Sequence, residues 1–244
     1  KALFKSWFID FDPVRAKAEG RSTGLSDEIS KLFPDSFENS ELGAIPRGWD
    51  CISMKELIYS VNDRQGERTL EEFSATTIGI QTREKKFTKK LAKSTQKNKV
   101  ALEGDLVFGL SRKVINFGRM PALIGAFSPV YEVFRSLPKS NISTEIIEKY
   151  LRVRMPFFLD ILKPAAREGQ AIDRSILLEK KIPNFPSSLI DKYASIIKVI
   201  DKKISITSDQ IIILESIKYA LLPKLLSGEL RIPDAEKMLE EVGI

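Results

Sequence analysis

One row of side chains in the last quarter of the chain limits the fold more than any other feature. It reads Tyr193, Ile197, Ile200, Ile204, Thr207, Ile211, Leu214, Lys218, Leu221 and Leu225, spaced alternately by four and three residues. A 3.5-residue repeat held this long marks a helix seam that needs a partner helix. At ~1.5 Å per residue, a helix from Leu189 to Leu226 reaches roughly 55 Å, longer than an ordinary domain helix. The expectation is a rigid spacer arm, with Lys218 as a stem that carries its charge out to solvent. Three partners fit the row equally well: the chain's own N-terminal stretch, a second copy, or a fuller subunit.

The chain as a whole is rich enough in apolar residues, 43%, to bury a core. It has neither a secretory h-region nor an apolar run of eighteen residues. Glu215, Lys218 and Lys224 interrupt the stretch from Ile211 to Leu226. With one cysteine, Cys51, there is no intrachain disulfide. The expected location is the cytoplasm, with no membrane association.

Net charge is +6, and its placement matters more than its size. Between Arg83 and Lys99 stand eight Lys/Arg against the single acid Glu84, while the rest of the chain is close to neutral. Such a patch suits a polyphosphate, because each neutralised phosphate releases counterions. It also suits a lysine-rich loop kept for solubility.

What is missing narrows the chemistry. Without histidine there is no His-based general base, no His triad, and none of the commonest metal ligand. One cysteine excludes Cys-rich zinc sites. There is no G-x-G cofactor loop, no G-x-x-x-x-G-K-[ST] and no Pro-Pro pair. A metal-dependent nuclease of acids and lysine survives in the tripeptides Glu84-Lys85-Lys86, Glu179-Lys180-Lys181 and Asp201-Lys202-Lys203, with Asp35 after Pro34. Tripeptides of this kind arise by chance in a chain with 30% charged residues, and none is preferred. The sequence argues for a binder.

The chain divides into five stretches. Residues 1–18 read as the end of an amphipathic helix, with Leu3, Phe4, Trp7 and Phe8 on one face, running down near Asp12-Pro13. No capping residue precedes it, which fits a piece of a longer chain. Residues 19–48 are a linker by their glycines and prolines, with a short helix expected around Ser26–Phe33 and Phe33, Phe37, Leu42 and Ile45 as pins. Residues 49–187 form a mixed α/β domain. Within it a turn at Glu103-Gly104-Asp105 leads into a strand Leu106–Leu110, and a loop carrying Ser111, Arg112, Lys113, Asn116 and Arg119 follows. Strands are expected at Ala122–Phe127 and Val130–Phe134. Helix is expected from Asn141 to Leu162, with Asn141, Ser143 or Thr144 as cap and Pro156 opening a second helix. A polar segment holding Arg167, Gly169, Gln170 and Arg174 comes next. The long helix occupies 188–230 and a tail 231–244. The fold class is α+β: a mixed α/β domain plus a long C-terminal helix forming an antiparallel coiled coil with a partner helix.

Three stretches in order resemble the specificity (S) subunits of type I restriction–modification systems. LFKSWFIDFDPVRAKAEG (Leu3 to Gly20) looks like the close of their central conserved region. LFPDSFENSELGAIPRGW (Leu32 to Trp49) looks like the lead-in to their second target recognition domain. LLPKLLSGELRIP (Leu221 to Pro233) looks like the end of their C-terminal conserved helix. The three frame almost the whole chain. The resemblance implies a non-catalytic, sequence-specific reader of one half of a split double-stranded DNA site. Its helices would dock methyltransferase (M) and restriction (R) subunits, which bring S-adenosylmethionine, ATP and Mg²⁺; none of these is expected in this chain. A full S subunit holds two recognition domains and this chain has room for one. It is then either a piece of a larger subunit or a half-subunit completed by pairing two copies antiparallel through Tyr193–Leu225 and the Leu3–Phe8 faces.

For base edges the favoured side chains are Arg to guanine and Asn or Gln to adenine. Two segments supply them: Ser111, Arg112, Lys113, Asn116 and Arg119, and Arg167, Gln170 and Arg174. Lys85, Lys86, Lys89, Lys90, Lys93, Lys97 and Lys99 are expected on phosphates. Each candidate also fits a bland alternative: Asn116 as the holder of a turn, and Arg167 as a surface partner of Glu168 or Asp173.

Overall fold

The computed structural model describes residues 1–83, 95–111, 114–161, 172–229 and 231–233. It divides into two compact units, 1–190 and 191–244.

The first unit opens with helices α1 (Ala2–Phe8) and α2 (Asp12–Ala18). Asp12-Pro13 was expected to end a helix; it begins one instead. Proline has no N–H to lose in a first turn, and Pro13 stands at the start of α2. The corner between the helices falls on Phe11, whose φ of 54° is the one positive value among the described non-glycine residues. Its ring meets Trp49 edge-on at 5.6 Å, an anchor that offsets the cost of the left-handed backbone.

Short helix α3 (Asp27–Ser30) and the hairpin β1 (Phe37–Ser40) to β2 (Gly43–Pro46) follow. Phe33 and Ile45 are buried, so the stretch 19–48 is part of the first unit. Phe8, Trp49 and Tyr150 converge on Phe185 with ring centroids 5.0, 5.9 and 6.0 Å away. Residues far apart in sequence thereby close one aromatic core. Phe4, Trp7 and Phe8 are spent in it. The face of 1–18 expected to pair with a second copy is therefore not free, because its rings pack inward.

Strands β3 (Cys51–Ser53), β4 (Ile58–Val61), β5 (Phe73–Thr76), β6 (Gly79–Thr82), β7 (Lys99–Leu102), β8 (Leu106–Ser111), β9 (Val114–Arg119), β10 (Ile124–Phe127) and β11 (Glu132–Ser136) build the domain. The largest sheet is antiparallel in the order β4-β11-β8-β9. Ribbons β7–β10 and β5–β6 are paired separately. A core of Val61, Phe73, Ala101, Val107, Met120, Phe127 and Val133 lies among them. The turn before β8 is where expected, with Gly104 at φ 83°. The strand expected at Val130 starts two residues later, because 128–131 form a turn closed by Tyr131 N–H to the Ser128 carbonyl. Gly125 on β10 has no room for a side chain: a methyl there would lie 2.5 Å from the Phe73 ring. Gly125→Ala should cost about 1–3 kcal/mol, read as a lower urea midpoint at unchanged slope.

Helix α4 (Thr144–Arg154) is capped by Ser143, whose hydroxyl accepts from Ile146 N–H. A 3₁₀ stretch, Met155–Ile161, continues from it in place of the second α-helix expected at Pro156. Helix α5 (Arg174–Glu179) and β12 (Lys181–Pro183), which pairs with β3, complete the unit.

Helix α6 (Ser187–Leu226) is continuous over 40 residues, about 60 Å at ~1.5 Å per residue. The long C-terminal helix is thus borne out. Tyr193 is buried and so is not a free member of the seam. Ile197, Leu221 and Leu225 are half-buried. Ile200, Ile204, Ile211 and Leu214 are 42%, 58%, 51% and 50% exposed, an apolar row no described residue covers. No helix among the described residues is long and apolar enough to cross a membrane.

Candidate nucleic-acid interface

Two loops meet at the C-terminal end of the lysine-rich segment. The stretch 62–68 lies against 95–98, and their backbones are joined by Gln65 N–H to Asn98 O at 2.8 Å and Gly66 N–H to Gln96 O at 3.0 Å. Gln65 and Asn98 are both buried, and the Asn98 amide donates to Gln65 Oε1 at 3.3 Å. Gln65 Nε2 in turn donates to the Arg68 carbonyl at 2.7 Å. At the segment's other end Arg83 pairs with Glu72 at 2.7 Å.

Lys97 is exposed beside this junction, as a phosphate contact requires. Lys99 is not available for that role. Its side chain is 5% exposed and its ammonium is 2.7 Å from Glu132, so it is a structural cation inside the domain. Lys97 lies in the turn ahead of the strand, whereas Lys99 opens β7, whose first three residues are buried, and there its ammonium finds Glu132. Lys85, Lys86, Lys89, Lys90 and Lys93 lie outside the described residues.

The second expected group sits on a hairpin, not in a loop. Strands β8 and β9 pair from Leu106↔Arg119 to Ser111↔Val114. Ser111 is therefore the last residue of β8, and Arg112 and Lys113 lie outside the described residues. Asn116 is buried in β9, its Oδ1 without a hydrogen bond among the described residues. Arg119 is half-buried and lies 3.3 Å from Glu145. Both expectations of free loop readers are corrected: Asn116 and Arg119 belong to strand β9, in which Ile115, Asn116, Phe117 and Gly118 are all buried. Arg152 stacks over the Phe117 ring at 4.9 Å and donates to the Phe117 carbonyl at 3.2 Å, so α4 clamps β9. Burial alone would raise the Glu145 carboxyl, but Lys149 and Arg119 beside it hold it below the usual range.

Arg174 opens α5, 46% exposed, 3.7 Å from Glu132 and 3.5 Å from the Ser60 hydroxyl. Asp173 is the cap of this helix, accepting from Ser175 N–H at 2.9 Å and Ile176 N–H at 3.2 Å. Arg167 and Gln170 lie outside the described residues. The acid–lysine tripeptide Glu179-Lys180-Lys181 is spread over three ion pairs, to Lys55, Asp160 and Glu41. That scatter does not gather a metal site.

Reading the sequence by charge density missed Arg64. It does not stand in a basic run, and only the hydrogen-bond pattern singles it out.

No family model matches the chain. Over 234 residues, 95% of its length, it is 24% identical to the type I restriction enzyme MjaIX specificity subunit of Methanocaldococcus jannaschii, and it spans 52% of that protein. A 32-residue stretch, 13% of the chain, is 66% identical to the type I restriction enzyme HindI specificity subunit of Haemophilus influenzae, covering 7% of it. The chain thus spans about half the length of the curated relative it matches throughout. Among solved structures it is similar to the HsdS subunit from Thermoanaerobacter tengcongensis, with a TM-score of 0.40, 15% identity, and coverage of 94% of this chain and 57% of that one. It is also similar to the S subunit of the type I system from M. genitalium, with a TM-score of 0.42, 15% identity, and coverage of 74% and 46%. The relatives are of the kind to which the three framing stretches pointed.

Proposed function

We propose that this relative of type I specificity subunits is one half of such a subunit: a reader of one part of a bipartite DNA target, carried on a helical spacer. The observation that carries the reading is the pairing of a compact α+β unit with a 40-residue helix whose apolar row stays open. A row of exposed Ile and Leu side chains is an interface in waiting, since burial of each is worth about 1.5–3 kcal/mol. Sequence identity along 95% of the chain to a specificity subunit supports the same conclusion. In this reading the chain itself makes and breaks no bonds. Methylation and cleavage belong to methyltransferase and restriction subunits docked on the helices, and S-adenosylmethionine, ATP and Mg²⁺ bind there. The second helix of the coiled coil comes from another copy or from a longer form of the subunit.

Selection from a random duplex library tests the DNA half of this. The expected result is enrichment of a short, defined sequence. Binding without enrichment would favour a non-specific coiled-coil adaptor, and plasmid cleavage by the isolated chain in Mg²⁺ would favour a nuclease. If about five cations touch phosphates, log affinity should fall with log salt at a slope near −4.5. A slope near zero would remove the basic patch from the mechanism.

A further inference from the structure

We infer that Arg64 and Lys97 form a preorganised phosphate clamp, set in place by the buried Gln65–Asn98 amide pair. This rests on the DNA-reading proposal and adds to it a site assigned to particular residues.

The two loops are held together by polar bonds to an extent that packing does not require. Besides the Gln65–Asn98 contacts, Val100 N–H donates to the Asp63 carbonyl at 3.0 Å and Asn98 N–H to the Thr95 carbonyl at 2.9 Å. Arg68 is tied to its own loop: Nε donates to the Gln65 carbonyl at 3.0 Å, and Nη2 donates to Asp63 at 2.9 Å and to the Arg64 carbonyl. Its charge is matched by Asp63, so Arg68 is a brace.

Arg64 differs. One guanidinium nitrogen, Nη1, donates to the Lys97 carbonyl at 2.9 Å. This bond fixes the side chain and leaves the rest of its fork uncommitted among the described residues. The same bond sets the guanidinium beside Lys97, and both residues are exposed. Two cationic residues thereby share one loop junction, with Arg64 anchored on the Lys97 backbone. Asp63, the nearest acid in sequence, is engaged by Arg68; Glu67 is exposed on the same loop. An arginine fork with fixed orientation is the geometry that suits a phosphate, and fixing it in advance removes the ordering cost from binding. The buried amide pair supplies that rigidity, since a fully satisfied polar pair allows few alternative arrangements.

The consequence is a separation of charge from position that an experiment can read. With the full chain and a random-sequence duplex as probe, Arg64→Gln should lower affinity and reduce the salt slope by about 0.9, the value of one phosphate contact. Lys97→Gln should do the same, and the double variant should lose about 1.8. Asn98→Ala keeps every charge but loosens the loop; it should weaken binding several-fold at unchanged slope. Circular dichroism melting checks that the variants fold, and exposed Arg64 makes its variant safe in that respect. A wild-type slope of several units that Arg64→Gln leaves intact overturns the clamp while DNA binding stands. A wild-type slope of zero overturns both.

Discussion

Ile204→Asp combined with Leu214→Asp should turn a paired protein into a monomer. Two copies aligned antiparallel bring the seam onto itself: Ile197 faces Leu221, Ile200 faces Lys218, Ile204 faces Leu214 and Thr207 faces Ile211. No other register matches as many positions, because a shift by one heptad leaves one end of the row without a partner. Each helix then contributes Ile204 and Leu214 to two layers, four apolar side chains per pair. At about 1.5 kcal/mol or more for each, their loss amounts to roughly 6 kcal/mol, and every 1.4 kcal/mol is tenfold in the dissociation constant. Unpaired carboxylates in the seam add to that. Light scattering at micromolar concentration should give twice the 27.6 kDa chain mass for the wild type and the single mass for the variant. The melting of the first unit should not move, since neither residue belongs to it. A wild-type chain that scatters as a monomer ends the pairing proposal.

That helix was the most legible part of the molecule. Periodicity depends only on local spacing, so Tyr193 to Leu225 announced both its length and its apolar row. The burial of Tyr193 was not readable, because the spacing of a seam says nothing of which of its members are covered. The same holds for Phe4, Trp7 and Phe8. Their spacing fixed a helical face, but nothing local says whether it meets a second copy or Phe33 and Phe185, which it does. In the site, charge density pointed to the lysine-rich segment but treated its lysines alike. Lys97 and Lys99 differ by two positions, and only the start of β7 and the presence of Glu132 on β11 separate a solvent cation from a buried one. Asn116 and Arg119 were read as loop residues since Arg, Lys, Asn and Gly cluster there. Cross-strand pairing with β8 overrode that local signal.

Asp105→Ala should be among the most destabilising single changes in the first unit. Asp105 sits in the turn that connects β7 to β8, and its side chain is 2% exposed. One carboxylate oxygen takes Arg135 Nε at 2.8 Å, and the other takes Arg135 Nη2 and Leu102 N–H, also at 2.8 Å. Its backbone carbonyl accepts Met120 N–H at 2.8 Å. The residue therefore ties β7, β11 and the end of β9 to a single point. Alanine would remove the bidentate partner and leave the guanidinium with no carboxylate. Breaking such a pair costs about 3–5 kcal/mol, and the lower end applies because Arg135 is 32% exposed and can recruit water. Against a total stability of about 5–15 kcal/mol, that is a large fraction. The hydrogen bonds that Arg135 donates to Asp105 raise the Arg135 pKa above its ordinary value. A raised basic group contributes fully below its unfolded pKa, so this stabilisation is complete at neutral pH and is not lost from the arginine side in any working buffer. The measurement is urea unfolding of wild type, Asp105→Ala and Asp105→Ala with Arg135→Met. The single variant should fall by about 3 kcal/mol and the double by less, because the second change removes the stranded charge. Equal losses would mean that the carboxylate matters only for the Leu102 turn. The link to DNA is direct: β7 starts at Lys99, one residue after Asn98, so loosening this strand loosens the loop that holds Arg64 and Lys97 in place.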